Sequence, residues 1–185
     1  MDMMNRINTY WSRRADEFSD ARRLDLNGPL KHVWTEIIQS YLPQRRPLRA
    51  LDLGTGAGFF AFMLDDLGCN VTGIDYSQDM INHARQNARE LGYERIRFLQ
   101  MDAQNMQFPD ESFDFIFTRN VTWTLPDPER AYAEMCRIFS PGGKLLNADA
   151  NYGAQFREAD RTGETERIYH KKTDSEYAYP ATGLS

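Results

Sequence analysis

Cysteine and histidine are scarce in this chain, positive charge is outnumbered, and long apolar runs are missing. Only two cysteines, Cys69 and Cys136, occur among 185 residues. They stand far apart in segments that read as strand or helix core, which argues against a disulfide framework or a paired-cysteine metal site and makes both thiols packing residues. The three histidines, His32, His83 and His170, show no ligand spacing with one another or with the cysteines, so no metal is expected. All three lie away from the predicted strand ends, so none is named as a general base and the catalytic residues stay unassigned. No stretch of about 18 apolar residues occurs, and the opening MDMMNRINTYW lacks an apolar signal region. A cytoplasmic protein without a membrane partner is therefore expected. The net charge of -5 supplies no general attraction to nucleic acid or to an anionic surface, which leaves small-molecule chemistry as the better expectation. Oligomeric state has no signature here.

What the chain does have is enough apolar content, 41% of its residues, to bury one sizeable core in one domain. After residue 48 short apolar runs alternate with helical patterns, the signature of βα units and a parallel sheet. Strands are expected at 49–53, 70–75, 95–100, 113–118 and 144–149. The first helix places Phe60, Met63, Leu64 and Leu67 on one face before Gly68. Ser77 caps the second, which ends at Gly92, and Asp127 caps a third with Pro128 in its first turn. Ser140-Pro141-Gly142-Gly143 is expected to stop that helix. Residues 5–18 and 29–42 read as two earlier helices. The resulting division is a helical cap over 1–47, an α/β core over 48–150, and a tail over 151–185. The composition of the tail leaves a lid, an exchanged arm or a partly disordered segment all open.

The chemistry concentrates in RALDLGTGAGF, residues 49–59, which joins a strand to a glycine-rich turn and a helix. Gly54, Gly56 and Gly58 are spaced by two, so the pattern is GxGxG rather than the GxGxxG of dinucleotide sites. Glycines permit close backbone approach to a ligand. Asp52, two places before the first glycine, would repel a pyrophosphate but could accept hydrogen bonds from an ammonium group or hold ordered water near one. The bland alternative is an ordinary tight strand-to-helix connection.

The run Asp52-Leu53-Gly54-Thr55-Gly56-Ala57-Gly58 resembles the first motif of class I S-adenosylmethionine-dependent methyltransferases. The resemblance covers about residues 48–150. It implies a Rossmann-like, doubly wound sheet of strand order 3-2-1-4-5, with S-adenosylmethionine bound and S-adenosylhomocysteine released. The turn contributes Asp52, Gly54, Thr55, Gly56 and Gly58. At the second strand end Asp75, with Tyr76 beside it, is expected to accept hydrogen bonds from a ribose diol, and after the third Asp102 and Ala103 are expected to meet adenine. Arg119 and Asn120, after the fourth strand, are placed beside the methionine part, and Tyr10, in a YWxxRA-like segment, closes the sulfonium pocket. Trp123 either lines the acceptor pocket or packs beneath the next helix. The (Asp/Asn/Ser)-Pro-Pro-aromatic motif of enzymes that methylate base amines is absent, which disfavours nucleic acid as acceptor. The family's final β-hairpin is not evident. The expected activity is methyl transfer to a small molecule. A non-catalytic cofactor-binding module and, more weakly, a nicotinamide-dependent oxidoreductase are the alternatives.

Overall fold

The computed structural model describes residues 8–9, 11–17, 19–20, 26, 28–44 and 47–149. Its centre is a five-stranded parallel sheet of β1 (Leu48–Leu53), β2 (Cys69–Asp75), β3 (Arg97–Gln100), β4 (Phe113–Thr118) and β5 (Phe139–Asn147), in the order β3-β2-β1-β4-β5. The expected topology is therefore the observed one. Chain order reverses between β1 and β4, the place where an open α/β sheet leaves a crevice at its carboxyl edge.

Helices cover both faces. On one face α1 (Pro29–Tyr41), α2 (Phe59–Asp66) and α3 (Gln78–Leu91) close a core around Ile38, Phe62, Met63, Ile81, Phe115 and Phe117. On the other, α4 (Pro128–Ile138) sets Ala131, Met135 and Ile138 against Leu51, Leu53 and Ile116. Residues 8–9 and 11–17 are helical, as expected within 5–18, and 19–20, beyond the expected end, are helical too. Both helix starts read from sequence hold: the Ser77 hydroxyl accepts from the Met80 amide, and the Asp127 carboxylate from the Arg130 amide.

Three expectations fail for local reasons. Ser140-Pro141-Gly142-Gly143 does not end α4, which stops at Ile138; it lies within β5 as an irregularity, since Phe113 pairs with Phe139 and Phe115 with Lys144. Asp114 explains this. Its carboxylate accepts from the Ser140 hydroxyl at 2.6 Å and from the Arg49 guanidinium and amide, tying the starts of β1, β4 and β5 together while the intervening residues loop out. β5 consequently begins earlier than 144 and ends at Asn147. Cys136 is exposed rather than packed, because it follows Met135 by one residue and so points about 100° away from the buried stripe of α4; Cys69 is buried as expected. Finally, α2 is buried nearly all round, with Phe59 and Ala61 inside as well as Met63 and Leu64.

Candidate functional site

The turn after β1 is built from glycines in left-handed backbone, with φ of 74° at Gly54, 52° at Gly56 and 97° at Gly58. Side chains rarely adopt such values. Gly54 has a second constraint: a Cβ there would lie 2.2 Å from Cγ2 of Val121. The turn's amides are already engaged. Gly54 and Thr55 N–H both donate to the Ile74 carbonyl at 2.8 Å, Gly58 N–H donates to Thr55, and Gly56 N–H donates to the Asp75 carboxylate at 2.9 Å. These four donors are therefore not offered to a ligand, and the turn is no phosphate cradle of the usual kind.

Asp52 lies beneath the turn and is only 2% exposed. It accepts a 2.6 Å hydrogen bond from the Thr55 hydroxyl. Gly73 on β2 leaves the room for this, since a Cβ there would meet the Thr55 hydroxyl at 2.7 Å. Burial raises the Asp52 pKa to about 7, opposed by the hydrogen bonds from Thr55 and Ala61 and reinforced by the charge of Asp75. Asp52 is thus a carboxylate set below the surface, holding Thr55.

Asp75 ends β2 and bridges two loops, accepting from Gly56 N–H through one oxygen and from Ser77 N–H through the other, both at 2.9 Å. Its pKa is raised by burial, against the backbone hydrogen bonds. Tyr76 follows it, and its carbonyl accepts from the Gln100 amide group. At the end of β3, Oδ1 of Asp102 accepts from both the backbone and the side-chain amide of Gln104, while Ala103 is buried beside it. Gln104 in turn accepts from Asp127 N–H. Asp52, Asp75 and Asp102 thus sit at the carboxyl ends of three adjacent strands, as the sequence spacing implies.

After β4 the chain turns sharply. Asn120 has φ of 56°, Arg119 stacks over Trp34 and Phe60 with its guanidinium carbon 4.9 and 5.5 Å from the ring centroids, and Val121 covers Gly54. Trp123 is 49% exposed, so it does not pack beneath α4. Tyr10 lies outside the described residues.

Several site residues were missed from sequence. Asp149, just past β5, accepts from Val121 N–H at 3.0 Å, from the Thr122 hydroxyl and from Trp123 N–H at 3.2 Å. Asn147 donates to the Tyr132 and Thr122 hydroxyls at 2.7 and 3.1 Å. The strand-end rule, applied to the fifth strand as it was to the second and third, selects both. Nothing local marks Val121 or Gly73. Three buried side-chain atoms have no hydrogen-bond partner among the described residues, and two of them, the Thr118 hydroxyl and Oδ1 of Asn147, belong to residues paired across the carboxyl ends of β4 and β5.

A methyltransferase-domain family profile matches residues 45–181. The chain belongs to the class I S-adenosylmethionine-dependent methyltransferases. Among curated members of the family, the chain is 38% identical over 99 residues to phosphatidylethanolamine N-methyltransferase of Cereibacter sphaeroides, covering 53% of this chain and 48% of that protein. It is also 38% identical over 105 residues to demethylmenaquinone methyltransferase of Thermus thermophilus, covering 56% and 47%. The chain thus spans about half the length of these relatives. Among solved structures, the [4+2]-cyclase SpnF is similar at 31% identity and a TM-score of 0.58, over 62% of this chain and 43% of that one. Among the described residues no helix is long and apolar enough to cross a membrane, and no cluster of candidate metal ligands occurs.

Proposed function

We propose that the chain binds S-adenosylmethionine across the carboxyl ends of β1, β2 and β3 and transfers its methyl group to a small molecule held beside β4. One observation carries this reading: the glycine turn has its amides at 54, 55, 56 and 58 engaged internally and two carboxylates, Asp52 below and Asp75 beside it. Such a turn repels a pyrophosphate and suits a ligand that brings positive charge and hydroxyl donors. That combination disfavours a nicotinamide dinucleotide.

The donor set fits the cofactor. A carboxylate has about four acceptor positions; the backbone amides of Gly56 and Ser77 take one on each oxygen of Asp75, leaving the others for a ribose diol. Oδ1 of Asp102 is occupied by Gln104, which leaves Oδ2 for the adenine amino group, with Ala103 alongside. Gly54, Gly56 and Gly58 provide close approach, Thr55 and Asp52 order the turn, and Tyr76, Arg119 and Asn120 line the two sides. When bound, the cofactor supplies a methyl group already activated on a sulfonium. The protein's part is alignment and exclusion of water, so no triad is required.

The acceptor is a small molecule; the two curated relatives are named for methylating an amine-bearing phospholipid and a quinone. Titration calorimetry with S-adenosylmethionine and S-adenosylhomocysteine tests the reading. Binding of both is expected, and a folded protein that binds neither refutes it. Similarity to a protein named as a cyclase favours a second reading, in which the chain binds the cofactor without methyl transfer. Formation of S-adenosylhomocysteine with a panel of amines and quinols separates the two.

A further inference from the structure

The segment after β4 takes a costly path and is held from outside. Asn120 sits at φ of 56°, and the single 3-10 turn Thr122–Thr124 that follows has no side-chain cap of its own. Its first amides are instead satisfied by Asp149, which comes from the end of the neighbouring strand β5 and accepts from Val121 N–H, the Thr122 hydroxyl and Trp123 N–H. One carboxylate thereby fixes three consecutive residues. The first of these occupies the space a side chain on Gly54 would need, since Cγ1 and Cγ2 of Val121 lie 3.2 and 2.2 Å from a Cβ built there. The third carries the exposed indole of Trp123.

We propose that Asp149 is a positioning residue for the glycine turn: by holding residues 121–123 it keeps Val121 seated on Gly54, and so couples β5 to the loop that meets the cofactor. The same hold sets where the exposed Trp123 ring stands. Asn147, which donates to Thr122 and Tyr132, braces the tie from the strand itself. The relevance to methyl transfer rests on the cofactor reading above; the mechanical coupling does not, so the two fail separately.

Amide hydrogen exchange of the full chain, read by peptide, tests the coupling in two variants. Asp149→Asn keeps the shape but loses a charged acceptor. It is expected to accelerate exchange about tenfold or more in residues 119–125 and also in 52–58. Val121→Ala leaves the carboxylate tie and removes only the contact, and is expected to accelerate 52–58 but not 122–125. Affinity for S-adenosylhomocysteine is expected to fall in both. The proposal is overturned if Asp149→Asn accelerates 119–125 alone, if it accelerates β1 and β4 equally, which makes Asp149 a general fold residue, or if Val121→Ala leaves 52–58 unchanged.

Discussion

Asp52 shows how one residue can carry a signal in sequence and a different task in space. Its acidity marks the motif, yet its side chain is buried under the turn and bonded to Thr55. With the folded pKa raised to about 7, the native state holds a proton that the unfolded chain releases near pH 4. Stability of the ligand-free protein should therefore fall as pH rises from about 4 to about 7 and level off above, by up to about 4 kcal/mol from this group. Asp52→Asn removes that component, so the difference in thermal midpoint between variant and wild type should shift in favour of the variant across the same interval. A cationic ligand favours the ionised form, so binding near pH 7 should release protons, which calorimetry in buffers of different ionisation enthalpy measures. Gly73→Ala is a second residue-scale case. The new Cβ would press on the Thr55 hydroxyl at 2.7 Å and on the Phe98 ring at 2.8 Å, and a loss of about 1–3 kcal/mol is expected in urea unfolding.

At the scale of elements, the best-placed joint is the one at the amino ends of the strands. Asp114, 5% exposed, collects Arg49 from β1 and Ser140 from β5. The hydrogen bond from Arg49, with those from Ser140 and the Arg49 amide, holds its carboxyl well below the usual carboxylate range. Its stabilisation is therefore present above about pH 4 and is lost as pH falls through the acid range, opposite in sign to Asp52. Ser140→Ala should cost about 1 kcal/mol at neutral pH, and Asp114→Asn more, with the deficit of Asp114→Asn shrinking as the solution is acidified. Denaturant unfolding at a series of pH values checks both. The Asp127 cap of α4 is a separate element-scale quantity, and Asp127→Ala should cost about 1 kcal/mol.

Across the whole molecule, ligand binding is the test that integrates these parts. S-adenosylhomocysteine at about a hundred times its dissociation constant should stabilise the chain by about 2.7 kcal/mol and raise the thermal midpoint by a few degrees. Asp75→Ala should remove most of that rise. The five strands, both helix caps and the three acidic strand ends were legible from the sequence, because each is a local pattern: apolar period, a cap one turn from its amide, an acid beside a turn; the strand order came only with the family resemblance. The bulge of β5 and the internal engagement of the glycine amides were not, since each depends on which strand lies alongside, whereas the exposure of Cys136 follows from the helical period and was misread locally. The residue pattern alone established alternating strands and helices and a binding turn after the first strand; the switch point between β1 and β4 followed from the resemblance and is seen in the strand order. Only the tertiary structure decided that Asp52 faces inward, that Gly73 makes room for Thr55, and that Asp149 reaches back to hold the residue covering Gly54. Gly73 and Thr55 are 18 positions apart and Asp149 and Val121 are 28, and no local pattern encodes a distance that only strand pairing closes.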